Sequence, residues 1–264
     1  MLEPQPSALS LLRRWVVDYF NSHDPAVCAE FIAQSYSLHI GDTVFSGRDT
    51  EWLPAVDAQM ALFPGLAMTV HQTVCGPDWA AAYFSEHGAT DGREAVWSGI
   101  AIYKAEGSVL TSCVAQEDYM TRQRQLKSGI ADKIERPALA PWDTPSGTRD
   151  SAAEDAVRDW LMTGWPLNTA AIRVDDEHIT DAPLRFDTTS VEVDVIQSDG
   201  PTVVFHAVQH GIYQGGLANV ERSESAVHMH VNGMVRAEDG KVISGRIIRD
   251  RIALKVAVRG AGTP

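Results

Sequence analysis

"AMTVHQTVCGPDWAAAYFSEHGATDGREAVWSGIAIYKAEGSVLTSCVAQED", residues 67–118, decides the fold. Four runs rich in β-branched and aromatic residues, 67–75, 79–87, 93–104 and 108–117, are separated by Gly76-Pro77-Asp78, Asp91-Gly92 and Glu106-Gly107. Tight turns with glycine between alternating apolar runs predict an antiparallel meander. The residues before it have a different period. In "SALSLLRRWVVDYFNSHD", Leu9, Leu12, Val16 and Phe20 recur at helical spacing. "PAVCAEFIAQ" places Pro25 after Asp24, a cap and first-turn pair. A short strand, "SYSLHI", precedes "RDTEWLPAVDAQMALF", where Trp52, Val56 and Met60 share one helical face. Helices first and a meander afterwards describe an α+β cone, a curved antiparallel sheet wrapped over N-terminal helices.

The pattern begins again further along. Pro137, Pro141 and Pro145 with Gly129 and Gly147 make residues 128–150 a linker, because proline restricts itself and its predecessor. It separates a first domain, 1–127, from a second, 151–264. The second opens with a helix, "DSAAEDAVRDWLMTG", capped by Asp150 or Ser151, and closes with strands at 190–197, 202–213, 225–237 and 241–253. Its middle, "GWPLNTAAIRVDDEHITDAPLRF", shows no second or third amphipathic helix. Two cone-shaped domains packed as an internal pseudo-dimer are expected, with homo-oligomerisation left open.

Composition narrows the function. Lys and Arg number 22 against 35 Asp and Glu, a formal charge of −13, with no basic stripe. Nucleic acid and anionic membrane surfaces are therefore poor partners. No apolar stretch reaches the roughly 18 residues of a membrane span, and the N-terminus lacks the pattern of a secretory leader. Cys28, Cys75 and Cys113 have no metal-like spacing and read as reduced, buried thiols of a cytoplasmic protein. No phosphate loop, nucleophile elbow or zinc-hydrolase motif occurs, so no cofactor and no metal are expected.

Alternation then nominates site residues. Asp118 shares a face with Leu110, Ser112, Val114 and Gln116, mostly apolar, where desolvation would raise its pKa toward a general acid–base value. The plainer reading is a solvated strand end or a helix cap. His39 lies off the apolar face of its strand and could polarise a carbonyl or simply meet solvent. His71 shares a face with Thr69 and Thr73, and His87 with Tyr83 and Ser85. Trp97 and Tyr103 alternate with Ala95, Gly99 and Ala101, as a flat ligand or ordinary packing would require. In the second half His206 and His210 share one strand face and His228 and His230 share another. One hairpin register brings all four imidazoles together as a metal-site candidate or pH-sensitive cluster; a slip of one residue dissolves it.

These pieces carry a resemblance. "NSHDPAVCAEFIAQSYSLHIG", "FPGLAMTVHQTVCGPDWAAAYFSEHG", "TDGREAVWSGIAIYKAEG" and "VLTSCVAQED" follow one another as in the SnoaL-like polyketide cyclases of the nuclear transport factor two superfamily. The resemblance covers about residues 18–126 and implies a conical pocket for a small hydrophobic ligand and a functional aspartate at Asp118. Ser112 and Val114 replace the acid and tryptophan usual before that aspartate. "EDGKVISGRIIRD" puts Asp250 where Asp118 stands in the first half, so the second domain resembles a divergent copy. Tandem members open epoxides.

The resemblance implies a cofactor-independent acid–base enzyme acting on a small apolar carbonyl compound, an aldol-type cyclase or isomerase. Asp118 would move the proton, His39 or His87 would stabilise the oxyanion, and Trp52, His71, Tyr83 and Trp97 would hold the substrate. Asp250, His206, His210, His228 and His230 are the candidates of the second domain. An epoxide hydrolase of the same fold and a non-catalytic binding module are the alternatives.

Overall fold

The computed structural model describes residues 6–163, 171–180 and 183–261. The chain divides into two compact units: residues 1–115 with 122–147, and residues 116–121 with 148–264.

In the first unit, α1 (Ala8–Arg13) starts at Ser7, whose side chain accepts from the Ser10 N–H, and runs into a π-helical segment, Arg14–Phe20. Leu9, Leu12, Val16 and Phe20 are all buried, as their spacing predicts. Asp24 caps a 3-10 helix, Pro25–Glu30, by accepting from the Ala26 N–H. Then come β1 (Ile32–Ile40), β2 (Thr43–Ser46), a π-helical turn at Arg48–Trp52 and α2 (Leu53–Leu62). The meander follows as β3 (Ala67–Cys75), β4 (Trp79–Thr90), β5 (Arg93–Glu106) and β6 (Val109–Glu117), and α3 (Tyr119–Ser128) begins beyond it. The sheet order is β2-β1-β6-β5-β4-β3. β1 runs parallel to β6, which corrects the expectation of a wholly antiparallel sheet. The reason is chain economy: the helices between β1 and the meander form a crossover long enough to bring the chain back in the same direction.

One face of this sheet carries the helices. Trp15 and Tyr103 rings meet at 5.7 Å, Phe63 and Trp97 at 5.4 Å, and Trp52 lies between Tyr19 and Tyr36. Residues 128–147, the predicted linker, belong to this unit. The Ala138 N–H donates to the Val70 carbonyl, Thr73 bonds the Pro141 carbonyl, and the Cys75 thiol lies 3.9 Å from the Thr144 carbonyl. Gln125 is fully buried and its Oε1 accepts from the N–H groups of Val96 and Asp132, tying α3 to the sheet and to this segment.

In the second unit α4 (Ser151–Met162) is capped by Asp150, whose Oδ1 accepts from the N–H groups of Ala152 and Ala153. β7 (Ile172–Val174), a four-residue helix α5 (Glu177–Thr180), β8 (Arg185–Asp199), β9 (Thr202–Gly215), β10 (Val227–Glu238), β11 (Lys241–Arg249) and α6 (Arg251–Ala261) complete it. Residues 164–170 and 181–182 of the helix-poor middle lie outside the described residues. The last strand ends at Arg249, not near 253, because Asp250 caps α6 by accepting from the Ala253 N–H. The sheet order, β7-β11-β10-β9-β8 with β7 parallel to β11, repeats that of the first unit without its β2. A shared detail confirms the repeat. Phe84 faces Gly99 across β4–β5, and Phe205 faces Gly233 across β9–β10.

All three cysteines are free and buried. Among the described residues no helix is long and apolar enough to cross a membrane.

Gly233 is needed for the core. A Cβ there would lie 2.2 Å from the Phe205 ring, which is fully buried and meets Trp160 of α4 edge-on. Gly233→Ala is therefore expected to destabilise the second unit by about 1–3 kcal/mol, as overpacking does, and to lower the thermal unfolding temperature.

Candidate functional site

Strand alternation sorts the polar residues of the first unit between two faces. Across β4–β5, Ala80 pairs Tyr103, Ala82 pairs Ala101, Phe84 pairs Gly99 and Glu86 pairs Trp97. These residues are on the helix-covered face, so a carboxylate stands among rings. Glu86 is 2% exposed and accepts a 2.8 Å hydrogen bond from the Gln59 amide of α2. The Arg122 guanidinium of α3 lies over both Phe63 and Trp97, 5.2 and 5.0 Å from their ring centres. Burial of a carboxylate is costly unless it is met by donors or cations. Glu86, Gln59 and Arg122 thus place polar groups among aromatic rings on this face. Sequence reasoning chose Trp97 and missed Glu86, although the acid interrupts the alternating apolar face Ala80, Ala82, Phe84.

The opposite face holds the other candidates. Tyr83, Ser85 and His87 project there together. His71 is the extra residue of a bulge between Val70 and Gln72, which returns its ring to Ser85 at 2.8 Å and to Tyr83 at 5.1 Å between ring centres. The same bulge reverses parity, so Thr73 pairs Ala82 and does not share a face with His71 and Thr69 as alternation predicts. His87 Nε2 is 3.1 Å from Thr69 Oγ1, and burial lowers the pKa of its ring. His39 is exposed, opposite Val44 and Val114. Trp52 is 1% exposed and packed between tyrosines. The six first-half candidates other than Asp118 are therefore divided: Trp97 and Trp52 lie on the helix-covered side, His71, Tyr83 and His87 on the other, and His39 at the surface.

Asp118 belongs to the second unit's core of charge. It is 2% exposed and caps α3: Oδ1 accepts from the Thr121 N–H at 3.1 Å and Oδ2 from the Thr121 hydroxyl at 2.6 Å. Arg251 also donates to Oδ1. The same guanidinium donates to Asp176 at 2.7 Å and lies 3.3 Å from Asp175. Arg249 grips Asp175 through its own N–H at 2.8 Å and its side chain at 2.7 Å, and pairs with Glu177. Two cations face four carboxylates. Desolvation, with Asp175 and Asp176 close by, raises Asp118 from an ordinary value near 3.8 to about 6 despite Arg251. Asp250, its counterpart in the repeat, caps α6 with the same three-residue reach. "RDR" at 249–251 thus straddles the end of a strand and the first turn of a helix.

Residues 12–111 match the family model of the SnoaL-like domain. The first unit carries a SnoaL-like domain. Solved structures similar to the chain include IdmH from Streptomyces antibioticus, provisionally described as a polyketide cyclase. It shares 21% identity over 44% of this chain and 96% of its own, with a TM-score of 0.41. TsrD from Streptomyces laurentii shares 20% over 44% and 91%, with a TM-score of 0.39. A SnoaL-like protein from Jannaschia sp. CCS1 shares 12% over 48% and 96%, with a TM-score of 0.43. A comparison with curated proteins gives no match. The family match, not these scores, carries the assignment. Beyond residue 111, the second unit repeats the first unit's sheet order, with a shorter helical wall among the described residues.

The charge cluster has a measurable signature. Because the folded pKa of Asp118 exceeds its unfolded value, the folded state holds its proton more tightly. The stability this contributes is full below about pH 4 and lost as pH rises to about 6. Replacing Asp118 with Asn should flatten that part of the stability–pH curve, measured by urea unfolding. At pH 7, where Asp118 is ionised against its raised pKa, the neutral variant is expected to be about as stable as the parent, since Arg251 retains Asp175 and Asp176.

Proposed function

We propose that the SnoaL-like domain is a cofactor-independent general acid–base enzyme for a small, largely apolar carbonyl compound, of the aldol-type cyclase or isomerase kind. The observation that carries this reading is Glu86, a carboxylate on the helix-covered face beside Trp97 and Phe63. In this reading Glu86 takes a proton from the carbon next to a carbonyl and returns it after the bond has formed or shifted. The Gln59 amide fixes the carboxylate, and Arg122 supplies the positive charge that meets the developing enolate. The Trp97 and Phe63 rings provide a face for a flat, apolar substrate.

The repeat supports placing the chemistry in the first unit. Counting two residues beyond the shared phenylalanine, Glu86 opposite Trp97 becomes Ala207 opposite Val231 in the second unit. At this position the acid beside an aromatic ring is found in the first copy and not in the second. Asp118 remains a proton-moving candidate through its raised pKa, with both its oxygens already engaged by Thr121 and Arg251.

A screen of apolar 1,3-diketones and β-keto thioesters for deuterium exchange at the carbon between the carbonyls tests the reading. The parent protein should catalyse exchange, and Glu86→Gln should slow it by about 10²–10⁴-fold with the melting temperature nearly unchanged. Equal exchange rates in the two proteins would reject Glu86. Ligand binding with no exchange in either would make the domain a binding module.

One observation favours epoxide opening as a second reading. Arg251 holds Asp118 and Asp176 on one guanidinium, and Asp118 keeps a proton to about pH 6. An ionised carboxylate can take a proton from water while a protonated one gives its proton to the epoxide oxygen. Styrene oxide hydrolysis that is lost in Asp176→Asn would support it; equal hydrolysis in both proteins would exclude it.

A further inference from the structure

The face of the second sheet opposite α4 carries a row of imidazoles, and its register settles how they meet. His210 pairs His228, Val208 pairs His230, and His206 pairs Asn232 across β9–β10. The two histidine pairs therefore share one face. Ring centres follow one another at 6.0 Å from His210 to His228, 5.6 Å from His228 to His230 and 5.3 Å from His230 to His206. β8 adds acids at one edge of the row. Glu192 pairs Val208 and reaches His210 at 3.5 Å. Asp194 is the additional residue of a bulge between Val193 and Val195, which aims its carboxylate at His206 Nε2, 3.5 Å away.

We infer that this face binds a divalent transition-metal ion of the zinc class, with His206 Nε2 and His230 Nδ1 as ligands and the half-exposed Asp194 carboxylate turning in to complete the set. The separation of the first two atoms is 3.3 Å. Two nitrogens each about 2.0–2.1 Å from one tetrahedral ion stand roughly 3.3–3.4 Å apart, so the pair already has the spacing of two ligands. The tautomer of His206 fits as well. Its Nδ1 lies 2.7 Å from Asn232 Oδ1, and an Nδ1–H donated to that carbonyl directs the Nε2 lone pair toward His230. An outer hydrogen bond of this kind orients metal-binding histidines generally. His206 is 6% exposed while the Asp194 side chain is about half exposed, so the ion would enter from the carboxylate side. On binding, the hydrogen bond between the two rings is replaced by two metal bonds, and His230 carries its proton on Nε2. Three protein ligands leave a fourth position to water. This inference does not depend on the acid–base reading of the first unit.

Cobalt titration of the full chain tests it. One equivalent should bind and give the intense visible bands of a tetrahedral site, and zinc should displace it. His206→Ala and His230→Ala should each weaken binding at least tenfold, and His87→Ala, in the other unit, should leave it unchanged. Asp194→Asn, at a half-exposed strand position, provides the same readout if a core histidine variant does not fold, with an expected loss of about 10-fold. No bound cobalt, or binding unaltered in His206→Ala, His230→Ala and Asp194→Asn alike, would overturn the assignment.

Discussion

Side chains on a β-strand alternate between two faces, so the position of every polar group in this chain depends on register and on the few places where register slips. In the first sheet an unbroken β4–β5 ladder holds Glu86 beside Trp97 on the helix side. A single extra residue at His71 keeps that imidazole on the far side with Ser85. In the second sheet the β9–β10 ladder lines up four histidines, and the bulge at Asp194 turns a carboxylate onto the same face. Each cluster costs desolvation of its polar atoms, which the fold offsets by placing a donor, an acceptor or an opposite charge within reach.

Periodicity made the fold legible. The helical spacing of Leu9, Leu12, Val16 and Phe20, the Asp24-Pro25 start and the glycine turns of the meander all correspond to elements of the structure. The β2 strand was missed because Thr43–Ser46 is too short to show a period. The first three residues of α6, 251–253, were read as the end of the last strand because Ile248 and Ile252 with their neighbours suit either element, and only the cap at Asp250 separates the readings. The candidate site was legible in part. Trp97 and the histidine faces follow from alternation. Glu86 was passed over because Ser85, Glu86 and His87 are all polar, and only the pairing with Trp97 says which of them points inward. Arg122, Gln59 and Arg251 are invisible to alternation, since they act from helices across distances the sequence does not encode.

The repeat clarifies Asp118 and Asp250. Both follow a closing strand, and both accept the N–H three residues on. The residue type at this position is thus explained by helix initiation alone in each copy. What distinguishes Asp118 is its surroundings, the guanidinium of Arg251 and the carboxylates of Asp175 and Asp176. The copies also differ in their helices: the turn and ten-residue α2 of the first correspond to the four-residue α5 of the second. An interior ringed by aromatics needs that longer wall, and the acid beside Trp97 occurs in the copy that has it.

The segment after α3 has one more consequence. β3 is the last strand of its sheet, and such a border presents bare amides and carbonyls on which a foreign strand can grow. The Ala138 N–H already occupies the Val70 carbonyl, the Pro141 carbonyl takes the Thr73 hydroxyl, and Pro137, Pro141 and Pro145 have no N–H to extend the ladder outward. The connector between the two units is therefore also a guard against fibrillar growth, a safeguard for a chain that must fold two sheets of the same design without letting one recruit the other.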